Sequence, residues 1–166
     1  MEKDLDILAA QVAAQLIRKN LTISTAESCT GGLLGHILTS ISGSSNYFIG
    51  GVIAYSNRIK ELILGVSQEN LLKLGAVSEP VAQEMAASIR DLFNTDIGIS
   101  TTGIAGPTGG TAEKPVGLVW IGVSTKVDTR TFQYHLSGNR DAVKHSTVVA
   151  ALSQLLEIID GDDAPG

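Results

Sequence analysis

Residues 21–38 read LTISTAESCTGGLLGHIL, and the reading of this stretch decides the fold. "LTISTA" is short, apolar and partly β-branched, so it predicts a strand. From residue 33 the spacing changes: Leu33, Leu34, Ile37, Leu38 and Ile41 form a helical stripe. A strand that runs through two glycines into a helix is a β-α unit, the building block of a parallel sheet. The junction carries Ser28 beside Cys29, the only cysteine of the chain.

The surrounding sequence extends this pattern. Leu5, Leu8, Val12 and Leu16 mark one face of a first helix, with Asn20 as its stop. "GGVIAY" (50–55) is a second strand. "SNRIKELIL" (56–64) is a short helix stopped by Gly65, with Ile59, Leu62 and Ile63 as its buried stripe. Ser67 caps a helix that runs to Gly75. Ser78 caps the next, where Pro80 suits the first turn and Val81, Met85, Ile89 and Leu92 make the buried face. "DIGIST" (96–101) and the wholly apolar "VGLVWIGV" (116–123) are strands, the latter central and covered on both faces. "TRTFQYHL" (129–136) alternates, with Phe132, Tyr134 and Leu136 on one side. Its short link to the preceding strand predicts an antiparallel pair. A closing helix is capped by Asn139. The order α-β-α-β-α-α-α-β-β-β-α predicts an α/β fold. It is a single three-layer α/β/α domain over residues 1–160 with a mixed, partly parallel sheet. A disordered acidic tail is expected at 161–166.

The totals narrow the function. The 166 residues suffice for one domain with a core. A net charge of −5 argues against nucleic-acid binding through a general basic field. A single cysteine allows no intrachain disulfide or thiolate metal spacing and fits a reducing, cytoplasmic compartment. The acidic start "MEKDLD" is unlike a secretory signal, and no membrane span is expected. A homo-oligomer is compatible with all of this.

Ser28 at a strand–helix junction has two readings. It can be the helix N-cap. It can also be a nucleophile facing the free N–H groups of Cys29, Thr30, Gly31 and Gly32, which would stabilise an oxyanion. Gly31 and Gly32 would open the approach. Cys29 competes, because a thiol at a helix start has a lowered pKa. No histidine is well placed as its base: His36, His135 and His145 read as surface or satisfied polar residues. A serine can use a lysine instead. Lys60 is the candidate, either solvated on its helix or overlooking a cleft with Asn57. To act as a base it needs a lowered pKa, from burial and from a cation such as Arg140. The loop "TTGIAGPTGGTAEKPVG" (101–117) follows a strand and could cradle a phosphate with its backbone N–H groups. Arg140 could add a forked anion contact.

The blocks "TAESCTGGLL", "GGVIAYSNRIKELILGV", "GAVSEPVAQEMA", "GISTTGIAGPTGGTAEKPVGLVWIGV" and "SGNRDAVK" together resemble the CinA C-terminal-domain family. Its stand-alone members include bacterial nicotinamide-nucleotide amidases. The resemblance runs from about residue 5 to about 158. It implies a small-molecule nucleotide substrate, nicotinamide mononucleotide, hydrolysed to nicotinate mononucleotide and ammonia in pyridine-nucleotide salvage. It implies a Ser/Lys pair, Ser28 and Lys60, with no metal and no cofactor. Thr102 and Arg140 match polar positions of the pocket in these blocks, and Tyr55, Asn57 and Gly103 are further candidates for substrate binding. Larger members carry an N-terminal molybdopterin-binding-like domain, which this chain is expected to lack. The rival expectation is a non-catalytic nucleotide-binding accessory module of the competence- or damage-inducible type, or an amidase for another small amide.

Overall fold

Five strands form one sheet in the order β2-β1-β3-β4-β5. They are β1 (Ile23–Glu27), β2 (Phe48–Ile53), β3 (Ile97–Gly103), β4 (Leu118–Ser124) and β5 (Thr129–His135). The computed structural model describes residues 2–161. β1 pairs in parallel with both β2 and β3, and β3-β4-β5 continue antiparallel. The mixed sheet and the element order expected from sequence are borne out. A single 3-10 turn at Ser44–Asn46 is added before β2.

The helices are α1 (Glu2–Arg18), α2 (Leu33–Thr39), α3 (Asn57–Leu62), α4 (Gln68–Leu74), α5 (Glu79–Phe93) and α6 (Arg140–Gly161). Helices α1, α2 and α6 cover one face of the sheet, with Leu16, Leu34, Leu152 and Leu155 packed on Ile23, Ile99 and Ile121. The other face holds a smaller core, where Val81, Met85 and Ile89 of α5 meet Ala26, Leu64 and Leu71. The chain leaves β1 toward β2 on one face and returns from β2 to β3 on the other. Right-handed crossovers in opposite directions require this.

Helix α5 lies close on the sheet because the sheet is small-sided beneath it. A Cβ on Gly98 would sit 2.2 Å from the Ala86 carbonyl oxygen, and one on Gly122 would sit 2.5 Å from that of Ala82. Ser100 and Ser24 hydroxyls donate to the Ala82 and Ile89 carbonyls of the same helix.

Several local expectations change. Ser78 precedes α5 but makes no side-chain cap; its hydroxyl donates to the Gly75 carbonyl instead. Leu92 points outward and is exposed. By contrast Ser56, Ser67 and Asn139 each accept from a backbone N–H three residues on. Helix α6 is long and apolar enough to cross a membrane by length and composition. Here Val143, Val148, Ala151, Leu152, Leu155 and Ile159 are spent on the sheet-side core. Gly161 ends α6, and the rest of the expected tail lies outside the described residues.

Candidate active site

The carboxyl ends of the three parallel strands converge on one cleft of about 340 Å³. β1 delivers Ser28 and Cys29, the end of β2 delivers Tyr55, and β3 delivers Thr102 and Gly103. The carboxyl edge of a parallel sheet is where open α/β folds bind ligands. Parallel pairing continues past the strand ends: Ser28 N–H donates to the Thr101 carbonyl, and Ala54 N–H to that of Glu27.

Ser28 is not the N-cap of α2. That helix starts at Leu33, and its cap position is Gly32, held at φ 102° without a side-chain bond. The cap work falls to Glu27, a buried carboxylate. It accepts from Leu34 N–H, Gly35 N–H and the Thr30 hydroxyl at 2.8, 3.0 and 2.7 Å. Thr30 is in turn bonded to Thr101 of β3. The first turn of α2 is therefore occupied. Gly31 N–H closes a turn onto the Ser28 carbonyl. Thr30, Gly31 and Gly32 lie outside the cleft lining, contrary to the expectation that their N–H groups face an oxyanion and that Gly31 and Gly32 open the approach. Gly31 and Gly32 serve the turn, at φ 59° and 102°. Among the described residues the Cys29 N–H, next to Ser28 and on the cleft, takes no backbone partner in the ladder or turn.

Cys29 is a core residue. Burial pushes its thiol up to about 12, and the Glu27 carboxylate adds to the rise. The lowered pKa expected of a helix-start thiol does not arise, because α2 begins four residues later and desolvation disfavours a buried thiolate.

Lys60 is 1% exposed. Helix α3 is turned so that this lysine is its one buried residue, while Leu62 and Ile63, expected inside, are exposed. Ile59 is partly buried. The ammonium lies 3.0 Å from Ser28 Oγ, 2.8 Å from the Ala54 carbonyl and 3.3 Å from the Tyr55 carbonyl. Burial lowers its pKa from 10.5 to about 8. Arg140 is not among the causes, contrary to expectation. A neutral lysine amine has two N–H groups and one lone pair. Two carbonyls can take the N–H groups, which aims the lone pair at the serine hydroxyl.

Residues 5–159 match the family described as CinA C-terminal domain. The chain belongs to this family. It is 51% identical over 155 residues to a CinA-like protein of Gloeothece citriformis, covering 92% of this chain and 37% of that protein. A CinA-like protein of Gemmatimonas aurantiaca is 49% identical over 164 residues, covering 97% and 38%. The chain thus spans well under half the length of these curated relatives. Among solved structures, a CinA-superfamily competence-damaged protein of Klebsiella pneumoniae superposes with TM-score 0.91 at 34% identity, covering 95% of this chain and 98% of that one. The competence/damage inducible protein CihA of Agrobacterium tumefaciens gives 0.91 at 36% identity, covering 95% and 96%.

In this CinA domain the other cleft walls come from loops. The glycine loop contributes Gly103, Ile104, Ala105, Gly106, Thr108 and Gly109. A Cβ on Gly103 would meet Val119 of β4 at 2.6 Å, so that glycine also serves strand pairing. Arg140 spans the cleft mouth: its guanidinium donates to the Gly106 carbonyl and to the Tyr55 hydroxyl, both at 2.8 Å. Asn57 lines the same side as Tyr55. Ala76 and Val77 also line the cleft, which the sequence reading missed. They contribute no chemistry-bearing side chain, so nothing local marks them. The Thr102 hydroxyl donates to the Ala76 carbonyl at 2.8 Å. His36 and His135 are exposed. His145 Nε2 is buried without a partner among the described residues, which corrects the expectation of a satisfied or surface histidine. No cluster of His, Cys, Asp or Glu able to hold a metal ion occurs among the described residues.

Proposed function

We propose that this CinA domain is an amidohydrolase that converts nicotinamide mononucleotide to nicotinate mononucleotide and ammonia through a Ser28 acyl-enzyme. One observation carries the reading: a fully buried lysine, its pKa lowered to about 8, stands 3.0 Å from a serine hydroxyl on the floor of a cleft. Burying an ammonium against carbonyls alone costs free energy that ordinary packing avoids. The arrangement suits proton transfer.

Neutral Lys60 removes the Ser28 proton as Oγ attacks the carboxamide carbon. The tetrahedral oxyanion receives the Cys29 N–H, the donor that follows the nucleophile, as in other serine hydrolase elbows. Lys60 returns its proton to the departing nitrogen, and ammonia leaves. Water then attacks the ester carbonyl and gives its proton to Lys60, which passes it to Ser28 Oγ as the C–Oγ bond breaks, so that the free serine, the neutral lysine and the carboxylic acid product result. Arg140 and the glycine-loop N–H groups supply the anion contacts a nucleotide phosphate needs.

Ammonia release from nicotinamide mononucleotide by purified protein tests the reading, with Ser28→Ala as the control. Turnover should be lost while the variant still binds the nucleotide. Nucleotide-dependent function that survives Ser28→Ala would make the domain a binding module instead.

A further inference from the structure

The chain between α4 and α5 is neither helix nor strand, yet every carbonyl from Leu74 to Val77 accepts a side-chain hydrogen bond. Lys114 Nζ donates to Leu74 and, at 2.8 Å, to Val77. Ser78 Oγ donates to Gly75, and Thr102 Oγ1 to Ala76, each at 2.8 Å. Two of these four bonds come from one residue of the glycine-rich loop, Lys114. Lys114 is itself seated by a tight turn: its N–H donates to Thr111 Oγ1 at 3.0 Å, and its carbonyl accepts from Thr111 N–H at 2.7 Å. Gly75 leaves room for it. A Cβ there would lie 3.2 Å from Lys114 Nζ, at a backbone φ of 78° that favours glycine. Leu74 is the last residue of α4, so the cation also meets the negative end of a helix. Among the described residues no carboxylate forms an ion pair with Lys114.

We propose that Lys114 is a positioning residue for substrate binding. It clamps the 74–77 segment to the glycine loop and so fixes the width of the cleft between Ala76 and Val77 on one side and Gly103–Gly109 on the other. Lys114 is not part of the cleft lining; it acts through the two backbone walls. Ser28 and Lys60 stand on the β1 turn and α3, which the clamp does not touch. Loss of the clamp therefore weakens binding and spares the chemical step. The kinetic consequence rests on the amidase reading above; the clamp does not.

The test compares Lys114→Met and Lys114→Arg with the wild-type protein. The methionine variant should raise KM for nicotinamide mononucleotide about tenfold with kcat within about twofold, the signature of lost uniform binding. Arginine, which keeps the charge and can still reach carbonyls, should restore part of the affinity. Limited proteolysis with proteinase K without substrate should cut within 74–78 faster in the methionine variant and leave 28–34 uncut. Unchanged KM, or unchanged cleavage within 74–78, would overturn the proposal, as would a fall in kcat at constant KM. If the wild-type protein releases no ammonia, the amidase reading falls by itself, and the cleavage rate within 74–78 decides the clamp.

Discussion

Helices α3 and α5 both contribute to the smaller core, and they bury opposite kinds of residue. Helix α5 turns Val81, Ala82, Met85, Ala86 and Ile89 inward, all without solvent exposure. Helix α3 turns Lys60 inward and leaves Leu62 67% exposed and Ile63 44% exposed. The first follows the apolar-area term that drives folding. The second runs against it. An isolated six-residue amphipathic helix would place its leucine inside. That α3 does not shows the orientation is set by what Lys60 meets: two carbonyls and the Ser28 hydroxyl. One helix buries apolar area and the other buries an amine held by hydrogen bonds.

The comparison breaks most visibly at Lys60. Lys60→Met should lower kcat by about 10²- to 10⁴-fold, the usual contribution of a general base. Its melting temperature should hold or rise, because an apolar chain of similar length replaces a desolvated cation. Lys60→Arg should fail similarly, since guanidinium cannot accept a proton. Near wild-type turnover in either variant would make Lys60 a structural residue and α3 no different in kind from α5. The same residue sets two pH signatures. The kcat/KM profile should rise with pH through a limb near 8, as Lys60 loses its proton. Stability has its own sign. The lysine titrates near 8 when folded and near 10.5 in its ordinary state. Between those values the folded chain binds fewer protons than the unfolded one, so stability rises with pH across that window. Urea titrations at the two ends should show the rise, and Lys60→Met should flatten it.

Met85→Ala sharpens the other side of the comparison. It opens a void under α5 and should cost about 2–5 kcal/mol of stability, while kcat per folded molecule stays unchanged. A fall in kcat without loss of melting temperature would mean that α5 also shapes the chemistry. The smallest effect belongs to Leu62→Gln, which should move stability by less than about 0.5 kcal/mol because the side chain is already in water. A larger loss would show that the α3 outer face packs against something in solution.

The parts legible in sequence are those whose causes lie within a few residues. Ser67 and Asn139 cap helices because a short side chain reaches an N–H three residues on. The β4–β5 pair follows from a short link, and the parallel strands from the helices between them. Phe132, Tyr134 and Leu136 do pack on the larger core, as their alternation implies. Ser28, Cys29, Tyr55, Asn57, Lys60, Thr102, Gly103 and Arg140 were each singled out in the sequence, and the structure gathers all eight around one cleft. Thr30, Gly31 and Gly32 were drawn in by their neighbourhood to Ser28 and belong to the turn instead. The capping that Ser28 could have supplied falls to Glu27, whose carboxylate reaches seven and eight residues along the chain.

The sequence by itself determined the class of the fold, the order of its elements, the strand-end position of Ser28 and the glycine-rich character of the loop beside it. Each of these is a matter of local spacing, cap chemistry and backbone freedom. Tertiary structure alone decided that Lys60 faces inward, that its environment lowers its pKa, that burial raises that of the Cys29 thiol, and that Ala76 and Val77 line the cleft. Those outcomes depend on desolvation and on hydrogen bonds between groups 26 to 37 residues apart. A buried charge is disfavoured or tolerated according to partners that only the folded chain brings within reach.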